Sequence, residues 1–167
     1  ITMGKAVGAA LYDNCWVIPF NIMPSRKLTD ADVSFATLVD MSLSTKPLEG
    51  GGVASKMLVD AQGKRFVNEA GPGILLASSM ADRDAAPYYA FFDSANAEVC
   101  AILEKGVSTG DVIKADTVDD LALAAGAAAL AETFASYQAF AEGSAEDECG
   151  KPVEKAVAYG EGPYYLV

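Results

Sequence analysis

Imidazole chemistry is closed to this sequence. Its 167 residues include no histidine, which removes Ser-His-Asp and Cys-His nucleophilic catalysis and the usual zinc sites. Carboxylates, guanidinium groups and thiols remain. Cys15, Cys100 and Cys149 stand far apart, without the short spacing of a metal or redox pair, and they read as inert thiols. With three of them, at least one is unpaired within the chain, so a disulfide framework is not the basis of the fold. No metal site is expected.

Polar residues cluster at two places that could meet a small molecule. At the first, Glu49 stands before Gly50-Gly51-Gly52, and three successive residues without Cβ mark a backbone that turns sharply or approaches another surface. A flexible loop and a ligand-contacting loop both fit. At the second, Arg65, Asn68 and Glu69 precede Gly71-Pro72-Gly73, where the backbone can come close to a ligand or make a plain tight turn. Arg65 and Glu69 also have an architectural reading, as an ion pair that fixes the segment on the loop that follows it. Arg83, between Asp82 and Asp84, reads as an exposed turn with a solvated salt bridge.

Half of the residues are apolar, enough for one compact core and too few for two full-sized domains. No run of about 18 apolar residues occurs, so no membrane-spanning helix is expected. Ile1 to Leu11 lacks the charged flank and apolar centre of a secretory signal. The start therefore reads as the interior of a longer product, and the compartment, cytoplasmic or exported, depends on what precedes it. With a net charge of −11 and arginine only at positions 26, 65 and 83, the chain lacks the basic stripe that nucleic acid requires. An anionic substrate would need cations from elsewhere.

The elements that must position these residues follow from pattern. Thr2 to Leu11 is small and apolar, a helix suited to close packing on a sheet. Cys15 to Phe20 is a short strand halted by Pro19, and residues 21–47 give no clear element. Met57 to Val59 and Arg65 to Val67 are β-prone runs around Asp60-Ala61-Gln62-Gly63, which predicts a β-hairpin with a left-handed glycine. Ile74 to Ala81 predicts a short helix and Tyr88 to Phe92 a buried strand. Asp93 or Ser94 would cap a helix running to Lys105 and stopped by Gly106. Val112 to Lys114 is a strand. Thr117, three residues before Asp120, opens a helix that Gly126 ends. A second helix from Ala128 to Glu142 places Leu130, Phe134, Tyr137 and Ala141 on one apolar face. The acidic, turn-rich SAEDECGKPVEK leads to a closing strand in GPYYLV. Helices and strands without regular alternation predict an α+β fold with a hairpin, a short mixed sheet and flanking helices.

Three ordered stretches, ITMGKAVGAAL, LVDAQGKRFVNE and ADTVDDLALAAGAAALAETFASYQAFAEG with CGKP and GPYY after it, resemble the flavoproteins of the fumarate reductase and succinate dehydrogenase family. The resemblance is especially to the soluble fumarate and urocanate reductases and the ketosteroid dehydrogenases. The first stretch is similar to the helix after the Gly-Asp-Gly motif of the flavin-binding domain, the second to the family's hairpin, and the third to the helical half of its capping domain.

The resemblance implies residues 1–20 as a remnant of the flavin-binding domain, 21–160 as the capping domain, and 161–167 as a strand returning toward the flavin domain. Hinges would lie near Cys15 to Pro19 and near Gly160 to Pro163. It implies a cap that closes over FAD and a small alkene or alkane substrate, with hydride passing between flavin N5 and one carbon of an activated carbon–carbon bond. Closure expels water and strengthens the charges that polarise the substrate. Because the Gly-x-Gly-x-x-Gly fingerprint is absent, FAD would be bound by the flavin-binding domain of the same polypeptide, and this chain alone would be inactive.

Residue by residue, the resemblance makes Glu49, Asn68 and Glu69 substrate-binding candidates. Leu48 stands where many members have the threonine of a Thr-Glu pair. The family's proton-donating arginine, four residues beyond Asn-Glu, corresponds to Gly73, so no catalytic residue is assigned and an alkene other than fumarate is implied. The alternative is a non-catalytic binding or interaction module that keeps the cap fold.

Overall fold

The computed structural model describes residues 56–81 and 87–167. Four strands, β1 (Met57–Val59), β2 (Tyr89–Phe92), β3 (Ile113–Ala115) and β4 (Tyr164–Leu166), form one sheet in the order β1-β2-β4-β3. Every pairing is antiparallel: Leu58 opposite Ala90, Phe92 opposite Tyr165, and Lys114 opposite Tyr165. The α+β class is as the sequence predicts, and the sheet is antiparallel throughout rather than mixed. Residues 161–167 supply β4, an internal strand of this sheet.

Helices α1 (Gly73–Ala81), α2 (Ala97–Thr109), α3 (Val118–Ala125) and α4 (Leu130–Ala141) cover both faces of the sheet. Strand side chains alternate between two cores. Leu58, Ala90, Phe92 and Tyr165 join Leu76 of α1 and Val99 and Leu103 of α2. Met57, Val59, Phe91 and Leu166 join Leu121 of α3 and Leu130, Tyr137 and Phe140 of α4. A sheet buried on both faces needs apolar residues at every position, which explains why β1, β2 and β4 read as unbroken apolar runs, whereas the edge strand β3 carries the exposed Lys114.

Local chemistry sets the element ends. Thr117 caps α3 by accepting the Asp120 N–H at 3.1 Å, and Gly126 ends it at φ 68°, both as predicted. Helix α2 starts later and runs further than the sequence suggests. Asn96 Oδ1 accepts the Val99 N–H at 3.1 Å, while Asp93 and Ser94 are engaged elsewhere. The helix passes through Gly106 because Val107 packs on the core beyond it, and it stops before Gly110 at φ 80°.

Candidate functional site

The hairpin turn is tied down from within. Asp60 Oδ1 accepts the N–H groups of Gln62 and Lys64 at 2.9 and 3.0 Å, and the Asp60 N–H donates to the Lys64 carbonyl at 3.0 Å. Gly63 is required twice over. Its φ is 82°, and a Cβ there would stand 2.6 Å from the Leu130 nitrogen, where the turn docks on α4 through the Ala129 N–H to the Gln62 carbonyl. The return run pairs with β1 at only one bridge, Val59 with Arg65. A side chain takes over beyond it: Glu69 Oε1 accepts the Leu58 N–H at 2.9 Å.

Glu69 lies at the centre of a buried ion cluster. Arg65 grips it through Nε to Oε1 at 2.9 Å and Nη2 to Oε2 at 2.8 Å, a bidentate geometry that fits guanidinium to carboxylate. Arg65 also pairs with Asp147 and stacks on the Tyr137 ring, 4.9 Å from its centroid. Lys151 Nζ donates to the Lys56 carbonyl at 2.6 Å and the Tyr137 hydroxyl at 3.2 Å, and stands 3.4 Å from Glu69 Oε2. Asp147 Oδ2 accepts the N–H groups of Cys149 at 3.1 Å and Lys151 at 2.7 Å. Beside this cluster, Lys56 Nζ meets Asp93 Oδ1 at 3.1 Å, and Asp93 Oδ2 accepts the Gly160 N–H at 2.8 Å. The Tyr159 hydroxyl accepts the Met57 N–H at 2.8 Å and donates to the Phe91 carbonyl at 3.2 Å.

The electrostatics follow from burial. Removal from water pulls the Lys151 pKa below the ordinary lysine value; Glu69 opposes that fall and Arg65 adds to it. Burial also works against the Arg65 charge, but hydrogen bonds and charges from Glu69 and Asp147 outweigh it and raise its pKa. Tyr137 and Tyr159 are both raised, chiefly by burial. Every buried side-chain nitrogen and oxygen among the described residues has a hydrogen-bond partner, so the cluster is saturated and its chemistry is that of an anchor.

A groove of about 500 Å³ runs between the hairpin turn, α4 and residues 145–149. Arg65, Tyr137, Asp147 and Cys149 line it. Burial pushes the Cys149 thiol there up in pKa even though Arg65 opposes the shift, which works against thiolate chemistry at this cysteine. Cys100, also raised by burial, packs on the sheet.

Asn68 and Glu69, paired by sequence reasoning as substrate contacts, have different surroundings. Glu69 is 2% exposed with both oxygens engaged; the Arg65–Glu69 ion pair of the architectural reading forms, but it ties the hairpin exit to β1, Asp147 and Lys151 rather than to the loop that follows. Asn68 is half-buried; its Oδ1 accepts the Ala70 N–H at 3.0 Å and its Nδ2 donates to the Gly150 carbonyl at 3.0 Å. Gly73 opens α1. Glu49, Arg83, Cys15 and the hinge near Cys15 to Pro19 lie outside the described residues. Sequence reasoning missed Lys56, Asp93, Asp147 and Lys151. Asp147 lies 82 positions from its partner Arg65, a separation without local periodicity. The CGKP stretch was the one available signal.

The described residues do not fit a flavin dinucleotide. A pyrophosphate cradle needs a glycine-rich turn between a parallel-sheet strand and a helix, and here every strand pairing is antiparallel. No group of acidic, cysteine or histidine residues among them is placed to hold a metal ion, and no helix among them is long and apolar enough to cross a membrane.

No protein-family profile and no curated protein matches the sequence. Solved structures do match in fold. The open conformation of a flavocytochrome c3 fumarate reductase superposes with a TM-score of 0.54 at 20% identity, over 99% of this chain and 27% of that one. A 3-ketosteroid-delta4-(5alpha)-dehydrogenase from Rhodococcus jostii, in complex with 4-androstene-3,17-dione, gives 0.53 at 21% identity, over 69% and 25%. The fumarate reductase flavoprotein subunit from Lactobacillus plantarum gives 0.54 at 13% identity, over 69% and 82%. The shared property is the fold. The chain spans about a quarter of the length of the first two proteins.

Proposed function

We propose that this chain is the substrate-closing cap of an FAD-dependent oxidoreductase of the fumarate reductase and succinate dehydrogenase family. The whole enzyme would reduce or dehydrogenate an activated carbon–carbon bond. One observation carries the reading: a hairpin ending in Arg-Phe-Val-Asn-Glu, packed with a helical pair on an antiparallel sheet, has the fold of segments of a fumarate reductase and a ketosteroid dehydrogenase. FAD belongs to a flavin-binding domain of the same polypeptide, and the domain division 1–20, 21–160 and 161–167 is part of this proposal. The cap's own residues exclude water and orient a small alkene or alkane. Asn68 and Glu49 are the substrate contacts, and Glu69 serves by holding Asn68 in place. Gly73, at the position of the family's arginine, leaves the proton to another group.

The test has two halves. Purified alone with excess FAD, the chain should be folded and colourless, and a yellow chromophore bound near one-to-one would sink the proposal. Carried in the longer polypeptide, it should accompany a bound flavin whose dithionite-reduced form is reoxidised anaerobically by at least one of fumarate, acrylate and 4-androstene-3,17-dione. Glycine in place of the arginine favours one rival, a binding module that keeps the fold without turnover. That rival predicts a flavin unreactive toward all three alkenes, or no flavin.

A further inference from the structure

The segment that ends the hairpin is stitched to one short stretch of chain. Arg65 pairs with Asp147, Asn68 Nδ2 donates to the Gly150 carbonyl at 3.0 Å, and Glu69 Oε2 lies 3.4 Å from Lys151 Nζ. Asp147 also shapes that stretch from inside, through the N–H groups of Cys149 and Lys151 on its Oδ2, and its side chain is only 3% exposed. One buried carboxylate therefore fixes both the guanidinium beside Glu69 and the loop that presents the Gly150 carbonyl to Asn68.

The Asn68 amide is left half-used. An asparagine side chain offers two N–H donors and a carbonyl with two lone pairs. Among the described residues, one donor goes to Gly150 and one lone pair to the Ala70 N–H. Among the described residues one N–H donor of this half-buried side chain remains unused, and such a donor suits the carbonyl or carboxylate oxygen of an activated alkene.

We propose that Asp147 is a positioning residue: acting through the Gly150 carbonyl and Asn68, it sets where the 68–72 turn meets the oxygen of a carbonyl-bearing alkene. The inference rests on the cap reading above. The role is geometric, because a substrate contact displaced by about 1 Å can cost as much as a hundredfold in rate.

Asp147→Asn is the direct test. Its remaining carbonyl can still accept from Cys149 and Lys151, while its amide meets Arg65 donor to donor. Amide exchange at Ala70 and Gly71 should quicken about tenfold or more, with Phe91 and Leu166 in the sheet unchanged, as for local rather than global opening. Asn68→Asp keeps the acceptor for Ala70 and opposes oxygen to oxygen at Gly150, without touching the ion cluster. It should give the same local release even if Asp147→Asn fails to fold.

In the flavin-containing polypeptide, with whichever of the three alkenes reoxidises the flavin, Asp147→Asn and Asn68→Ala should each lower kcat/KM about tenfold, and the double variant no further. A merely structural Asp147 gives additive losses in kcat/KM. Additive losses, or unchanged exchange at Ala70 and Gly71, overturn the inference. A flavin unreactive toward all three alkenes overturns the cap reading and the positioning role together, whereas the exchange result reports on the Asp147 tie alone.

Discussion

Glu69→Gln isolates the charge at the centre of the cluster, because glutamine keeps the length of the side chain and a carbonyl for the Leu58 N–H. In the native protein Arg65 and Lys151 are balanced by Glu69 and Asp147, so the group is neutral as a whole. The substitution leaves one buried positive charge without a counterion and turns an amide donor toward Arg65 or Lys151. Removing one partner of a buried pair costs about 3–5 kcal/mol, a large share of the roughly 5–15 kcal/mol that holds a domain folded. For a chain of this size the loss corresponds to a fall in Tm of roughly 10 °C.

The deficit should also depend on pH in a defined direction. Burial already holds Lys151 below the ordinary lysine value, and Glu69 is the main group opposing that fall. Without Glu69 the folded-state pKa drops further, so the folded protein releases a proton that the unfolded chain keeps until about pH 10.4. A lysine depressed in the folded state destabilises most at low pH. Stability of the variant should therefore rise with pH inside that window, by up to about 1.4 kcal/mol per unit. Urea unfolding of the variant and the native protein, followed by circular dichroism at about pH 7 and about pH 9, roughly a unit below the tyrosine value, reads both effects as the difference between the two proteins. A loss under about 1 kcal/mol at neutral pH, or a deficit of the same size at both pH values, would refute the assignment of Glu69 as counterion to Lys151.

Other outcomes follow from single features. Gly63→Ala should cost about 2–3 kcal/mol in urea unfolding, since alanine at φ 82° is strained and its Cβ would overlap the Leu130 backbone. Two leucines of α3 should differ sharply: Leu121, fully buried, loses about 2–5 kcal/mol as alanine, whereas Leu123, 83% exposed, changes stability by less than about 0.5 kcal/mol as serine. Tyr137, Tyr159 and Tyr165 are all raised in pKa, chiefly by burial. The stability they supply is fully present below the unfolded-state value near pH 10 and is lost as pH climbs above it, by about 1.4 kcal/mol per unit for each tyrosine. The share of the phenolate absorbance that these three contribute should accordingly appear together with unfolding rather than before it.

The sequence discloses what local chemistry decides. The Asp60 to Gly63 turn, the Thr117 cap and the Gly126 stop are each set by residues within four positions of one another, and the structure has all three. Where a distant partner competes, the local signal misleads. Asp93 looks like a helix cap, yet its carboxylate is taken by Lys56 and the Gly160 N–H, and Asn96 caps instead. Gly106 looks like a stop, yet burial of Val107 carries the helix past it. The hairpin's return strand narrows to one bridge for the same reason, because a carboxylate rather than a backbone carbonyl satisfies the Leu58 N–H.

That substitution of side chain for backbone ties the fold to the site. A ladder of main-chain bonds would hold residues 65–69 flat against β1 whatever their side chains. Here their position depends on Glu69, Arg65 and, through them, Asp147 and Lys151. Residues 147–151 thus do for the hairpin exit what a neighbouring strand does for an ordinary edge, with charge in place of hydrogen-bond register. Under the cap reading proposed above, that anchoring would present Asn68 at a constant place at each closure. The same dependence makes the position of residues 65–69 sensitive to Asp147, 82 positions away from Arg65.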